Sequence, residues 1–215
     1  MSETGAAWLK GSVGKYAHGL QEVARYIYRR VGFFRMACER IMAPRVLPQP
    51  VRSILFVCTG NLCRSPLAEV YFREKARKEG HLITVDSAGV EPIPGNPAHT
   101  LAKEIANQQG ISLESHAAKP LYQKLIEQSD LVLVMEVAQK DRVMKLYPQH
   151  RHKVFLLGQF CSSGSLDIDD PHQCTKEDFQ ACFDRIRESC DRVMQQLGGQ
   201  GLSLMPLAEP KLKGK

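Results

Sequence analysis

No run of 18 apolar residues occurs in the 215-residue chain, so no segment of it is suited to cross a bilayer as a helix. Its seven cysteines are an odd number and widely scattered. That excludes the dense disulfide framework of a small secreted domain and favours a reducing compartment with buried or reactive thiols. Tryptophan occurs once, as Trp8, and neither it nor the methionines form a stripe suggesting a cofactor; none is expected. Internal repeats and low-complexity tracts are missing too, which excludes solenoids. His150 and His152 have no carboxylate or cysteine at ligand spacing, so they read as a solvated loop and no metal is expected. What remains is a hydrophobic fraction of 43%, enough for a real core in a soluble protein of one ordinary domain plus some excess length.

Net charge is nearly missing from the middle of the chain. Residues 1–50 contribute +5, residues 51–198 contribute −1 and residues 199–215 contribute +2 to the net charge of +6. The central globule therefore has no electrostatic use for nucleic acid. The basic character belongs to the ends. From Leu20 the apolar residues Val23, Ala24, Ile27, Val31, Phe34, Cys38 and Ile41 recur at helical spacing, with Arg25, Arg29, Arg30, Arg35 and Arg40 around them. A basic amphipathic helix within residues 16–44 is suited to dock on the globule, bind a partner or contact an anionic membrane peripherally. Glu22 and Glu39 are wrong for a transit peptide.

Two prolines in Arg45–Val51 mark a linker, and Gly198-Gly199-Gln200-Gly201 ends a helix before a loose tail. The expected organisation is a basic helical extension and linker over 1–50, a catalytic domain over 51–198 and a flexible tail over 199–215. Within the domain, strands are expected at Ser53–Val57, Ile83–Asp86, Leu131–Met135 and Lys153–Leu157. Helices are expected at Ser65–Gly80, Ala98–Gln109, Leu121–Gln128, Ala138–Tyr147 and Glu177–Leu197. Apolar strands alternating with helices predict an α/β fold: a four-stranded parallel sheet with helices on both faces. Ligands of such sheets bind beyond the carboxyl ends of the strands.

At that end of the first strand stands Cys58-Thr-Gly-Asn-Leu-Cys-Arg64-Ser65-Pro66. Gly60 and Asn61 tolerate left-handed backbone, and Arg-Ser-Pro opens a helix with proline in its first turn. Successive N–H groups of Thr59, Gly60, Asn61, Leu62 and Cys63, with a helix N-terminus, then converge as an anion cradle. The cradle suits Cys58 as a thiolate nucleophile, Ser65 as a donor to its sulfur and Arg64 as a planar clamp on phosphoryl oxygens. The bland alternative is a structural cysteine in a β–α turn. Displacement at phosphorus also needs an acid for the leaving oxygen. Asp170, before Pro171 in the loop after the fourth strand, is the candidate; Asp169 competes with it. Cys63 lies five residues from Cys58 across a tight loop and is a candidate redox partner for it.

These residues resemble the low-molecular-weight protein tyrosine phosphatases over about residues 52–197. The likeness rests on Val57-Cys-Thr-Gly-Asn-Leu-Cys-Arg-Ser-Pro-Leu-Ala-Glu69, Val85-Asp-Ser-Ala-Gly89, Gly110-Ile-Ser-Leu-Glu-Ser-His116, Ser129-Asp-Leu-Val-Leu-Val-Met135 and Asp170-Pro171. The resemblance implies a flavodoxin-like sheet with the Cys58 loop at its centre. Cys58 is implied as nucleophile through a cysteinyl-phosphate intermediate, Arg64 as clamp, and Asp170 as acid and then base. It also implies a supporting network of Asn61, Ser65, Ser87 and His116. The chain looks like bacterial members acting on autophosphorylated tyrosine kinases of capsule and exopolysaccharide systems. That implies a phosphotyrosine protein substrate and a cytoplasmic enzyme, peripheral at the inner membrane if the extension binds there. Val90–Ile93 is aliphatic where animal members carry aromatics, and His172 follows Asp170-Pro171 where the family usually has an aromatic residue. Ile93 and His172 are thus the expected pocket walls.

Three readings compete. Protein arginine phosphatase shares the Cys-Thr-Gly-Asn opening, but those enzymes resemble this loop with threonine where Leu62 stands. An inactive phosphate-binding scaffold is the alternative of another class, and the intact Cys58, Arg64 and Asp170 argue against it. Arsenate reduction would need a resolving cysteine pair near 135–145, where there is none.

Overall fold

The apolar run Ile54-Leu-Phe-Val57 forms the middle of β1 (Ser53–Cys58), an inner strand with a parallel partner on each side, in a computed structural model that describes residues 47–162 and 165–199. The other strands are β2 (Thr84–Gly89), β3 (Leu131–Val134) and β4 (Val154–Leu156), in the order β2-β1-β3-β4 and all parallel. The helices are α1 (Arg64–Lys78), α2 (Thr100–Gln108), α3 (Gln123–Gln128), α4 (Val137–Leu146) and α5 (Lys176–Gly199). Strand order reverses beside β1: the chain goes from β1 outward to β2, then crosses back to β3. That opens a crevice at the carboxyl end of β1.

Side chains alternate across the sheet, as a two-residue period requires. Ile54, Phe56 and Cys58 join a core with Leu67 and Phe72 of α1 and Phe179, Phe183 and Ile186 of α5. Leu55, Val57, Val132 and Val134 are buried outside that cluster, on the face covered by α3 and α4. Expected and observed elements agree to within a few residues. The largest difference is in β2, which continues through Ser87, Ala88 and Gly89. Two short 3₁₀ turns, Pro148–Lys153 and Leu157–Phe160, flank β4 and were not expected. The first contains His150 and His152.

The expected linker needs correction. The segment before β1 is not wholly a linker: Leu47 and Val51 are each 2% exposed and belong to the main core cluster. Apolar burial outweighs the loop character of the neighbouring prolines, so the packed domain begins before residue 51. The expected amphipathic helix within 16–44 and the tail beyond residue 199 lie outside the described residues.

Polar groups pin the sheet where hydrophobic packing cannot set register. The Asp130 Oδ2 accepts the backbone N–H of Arg52 at 2.8 Å and of Ser53 at 3.0 Å, locking the start of β1 to that of β3. On the outer edge of β2, Val85 O accepts from Arg73 and Ser87 N–H donates to Asp86. Gly89 exchanges hydrogen bonds with Lys119 and Leu121. An edge treated this way offers few groups to another strand.

Candidate active site

Asn61 has φ +55°, a left-handed conformation that its short polar side chain tolerates at modest cost. The turn aims its N–H at Cys58 Sγ, 3.2 Å away. Its carboxamide donates to Ser65 Oγ and Ser87 Oγ, each at 2.9 Å, and accepts the Lys119 N–H at 3.0 Å. Its carbonyl accepts from His116 Nε2 at 2.8 Å, which places the imidazole proton on Nε2. The Ser87 hydroxyl donates to Glu69 Oε2 at 2.5 Å, and Arg73 donates to the other Glu69 oxygen. Ser65 Oγ lies 3.0 Å from Cys58 Sγ and only 3.4 Å from Ala88 O. Because Asn61 already donates to that hydroxyl, its proton is available to the sulfur. The expected group of Asn61, Ser65, Ser87 and His116 is thus brought together, and Glu69, Arg73 and Lys119 extend it.

Close packing fixes the loop from the β2 side as well. Val90 N–H donates to Cys58 O and Glu91 N–H to Thr59 O, both at 2.9 Å. A side chain at Gly89 would meet Thr59 O at 2.7 Å, Pro92 Cβ at 3.0 Å and Asn61 Cβ at 3.2 Å. Glycine is needed there for the loop to approach. α1 begins at Arg64 without a side-chain cap, so its first-turn N–H groups and its dipole are left for an anion.

Arg64 is 1% exposed. Its Nη1 donates to the Glu136 carboxylate and to Ile168 O at 2.9 Å, while Nη2 lies 2.6 Å from Asp170 Oδ2. Burial works against its charge, but Cys58, Glu136 and Asp170 outweigh that and hold the guanidinium protonated above its ordinary range. Its Nε is buried and has no hydrogen-bond partner in the protein, leaving a donor for an oxygen of a bound group. Sequence reasoning missed Glu136 and Gln139. Gln139 Oε1 accepts the Met135 N–H at 3.0 Å; its Nε2 donates to Glu136 Oε1 at 3.0 Å and to Thr59 Oγ1 at 3.1 Å. The one available signal was position, since both follow the carboxyl end of β3.

A cavity of about 150 Å³ sits over the loop, lined by Cys58, Thr59, Gly60, Leu62, Cys63, Arg64, Asp170 and His172. Asp170 is 45% exposed at its mouth; Asp169 is not part of the lining. His172 takes the expected place in the wall. Ile93 does not: it is 68% exposed and outside the cavity lining, because the turn after β2 carries it into solvent. Burial, then the neighbouring Cys58 and Asp170, push the Cys63 thiol up. Its sulfur lies 3.6 Å from His172 Nδ1. The His172 ring rests edge-on against His99, centroids 5.3 Å apart, and His99 stacks on Phe179 at 4.8 Å. Burial and the adjacent His172 hold His99 below the usual imidazole range.

Thiol, converging donors, a clamped guanidinium and a carboxyl at the mouth are the parts required for displacement at phosphorus. Asp170→Asn is expected to slow hydrolysis of phosphomonoesters by about 10²–10⁴, more for poor leaving groups than for para-nitrophenol. Asp169→Asn is expected to change it only a few-fold. Rates on phenyl and para-nitrophenyl phosphate check this, and the opposite ranking would reassign the acid.

Comparison with known proteins identifies the family. The chain is 35% identical over 144 residues to the protein-arginine-phosphatase of Bacillus subtilis, covering 67% of this chain and 95% of that protein. It is 33% identical over 151 residues to the probable low molecular weight protein-tyrosine-phosphatase EpsP of Ralstonia solanacearum, covering 70% and 99%. The crystal structure of the tyrosine phosphatase Wzb from Escherichia coli K30 with sulphate superposes with a TM-score of 0.64 at 30% identity, covering 69% of this chain and 99% of that one. Residues 53–202 match the family described as low molecular weight phosphotyrosine protein phosphatase, and the chain belongs to that family.

Proposed function

We propose that this chain hydrolyses phosphotyrosine in proteins through a cysteinyl-phosphate intermediate. In the first step Cys58 Sγ attacks phosphorus, the ester P–O bond breaks and Asp170 gives its proton to the leaving phenol oxygen. In the second step the Asp170 carboxylate takes a proton from water as the water oxygen attacks phosphorus. The S–P bond then breaks, releasing phosphate and restoring the thiolate. Arg64 and the loop N–H groups hold the equatorial oxygens throughout.

The observation that carries the substrate class is Leu62 in the cavity wall beside Cys58. An isobutyl group there suits the face of a phenyl ring and offers no hydroxyl to a guanidino group. Arginine phosphatase is the second reading, favoured by the identity to the Bacillus subtilis enzyme. A scaffold role is disfavoured by Cys58, Arg64 and Asp170 meeting in one cavity. With a panel of phosphopeptides, phosphotyrosine is expected to exceed phosphoarginine and phosphoserine by about tenfold or more in kcat/KM. Leu62→Thr is expected to narrow the gap to phosphoarginine. Faster turnover of phosphoarginine by the unaltered enzyme would overturn the assignment.

Redox control is part of the same proposal. Peroxide oxidises the Cys58 thiolate to a sulfenic acid; Cys63 then attacks that sulfur as a thiolate, hydroxide leaves and takes up a proton as water, and a disulfide forms. Because the Cys63 thiol is pushed up, capture is limited by its deprotonation and accelerates with rising pH, by up to about tenfold per unit. Reductant is expected to restore more activity after peroxide treatment at pH 8.5 than at pH 6.5. Cys63→Ser is expected to abolish that restoration, and equal recovery with the variant would remove Cys63 from the scheme.

The likeness to bacterial members supports a substrate among autophosphorylated tyrosine kinases or polysaccharide-export proteins, reached in the cytoplasm. No helix of the described residues is long and apolar enough to cross a membrane. The +5 charge of residues 1–50 supports peripheral contact through 16–44, each Lys or Arg near an anionic leaflet adding about 1 kcal/mol. Full-length protein is expected to bind anionic liposomes at low salt and release as salt rises. No binding at low salt would discard the membrane contact.

A further inference from the structure

A second cavity, of about 270 Å³, is built from α1 and residues 112–119 and shares no lining residue with the first. Its polar groups are mostly donors. The carboxylate of Glu69 is already engaged by Ser87 and Arg73. Arg73 uses Nη2 on Glu69 and Val85 O, which leaves the N–H groups of Nη1 and Nε. Lys119 Nζ makes one bond, to Asp86 at 2.5 Å, which leaves two of its three protons. The Ser112 hydroxyl accepts from Glu114 N–H and retains its own proton, and Ser115 adds a further hydroxyl. Leu113, Val70 and Ala117 supply a small apolar floor. Arg73 and Lys119 are each paired with a carboxylate, Glu69 and Asp86, so it is the surplus of donor protons above a short apolar floor, rather than net charge, that suits a compact organic oxyanion.

The cavity is also wired to the catalytic loop. His116 and Lys119, both in its lining, donate to the carbonyl and side-chain oxygens of Asn61. Asn61 in turn donates to Cys58 Sγ. We infer that this cavity is a regulatory site for a small carboxylate or phosphate-bearing organic anion. By bridging α1 to residues 112–119, the bound anion steadies His116 and Lys119 and, through Asn61, the phosphate loop. Binding at the two sites is then coupled, and by linkage each ligand raises the affinity of the other by the same factor.

The test uses full-length enzyme and calorimetry, with tricarballylate as the carboxylate probe and phosphonoacetate as the phosphate-type probe. Vanadate fills the catalytic loop, and its inhibition of para-nitrophenyl phosphate hydrolysis is the control. Failure of that control would count against the catalytic-loop reading rather than against this site. At least one probe is expected to bind at one site in the presence of saturating vanadate, about fivefold or more tighter than without it. Which probe binds distinguishes a carboxylate from a phosphate ligand. Arg73→Met and Lys119→Met are each expected to weaken that binding by about tenfold. If Arg73→Met does not fold, Lys119→Met and Ser115→Ala decide. Displacement of both probes by vanadate, undiminished binding in the variants or no binding of either probe would overturn the site. An affinity indifferent to vanadate would overturn the coupling.

Discussion

The turn of the catalytic loop hangs on Asn61, a residue whose hydrogen-bonding capacity is taken up by its surroundings. Its N–H faces the Cys58 sulfur, its two amide protons go to Ser65 and Ser87, and its two oxygens receive Lys119 and His116. Five fixed partners hold a positive φ that would otherwise relax. A buried, fully satisfied polar network of this kind specifies one geometry, whereas a half-satisfied one would destabilise the core. The loop therefore keeps its shape through partners on α1, β2 and the 112–119 segment as well as through its own Asn61.

Arg64 poses the complementary electrostatic problem. A guanidinium buried to 1% exposure is tolerated only where negative charge and carbonyl oxygens replace water. Glu136, Asp170 and the Ile168 carbonyl do so. They come from the ends of β3 and from the loop beyond β4. Burial of the clamp thus draws the later half of the chain to the mouth of a site begun by the first strand.

How much of this was legible in the sequence depended on distance along the chain. Cys58, Arg64 and Ser65 form one contiguous stretch between a strand and a helix, and local backbone preferences were enough to expose them. The alternation of apolar strands and amphipathic helices carried the layer architecture for the same reason. Glu136 and Gln139 were hidden, because their purpose exists only when β3 lies beside β1. Glu69 closes the quoted motif, but its bond to Ser87 joins residues 18 apart and exists only once α1 lies against β2. Leu47 was obscured by the prolines that follow it, and the solvent-facing turn after β2 took Ile93 away from the wall its apolar side chain suggested. Patterning reports which faces are buried; it does not report which distant side chains share a hydrogen bond.

The segment leading to Asp170 is anchored almost to its last residue. Gly158 packs where any Cβ would lie 2.1 Å from Leu166 O. Arg185 donates to the carbonyls of Ser165 and Asp167, Asp167 accepts from Val137 N–H, and Ile168 N–H bonds Met135 O at 2.8 Å. A carboxyl carried on such a segment is held at the mouth, where it pairs with Arg64 Nη2 at 2.6 Å. A short, tethered stretch of backbone thus joins Ile168, whose carbonyl holds the guanidinium, to the carboxyl at the mouth.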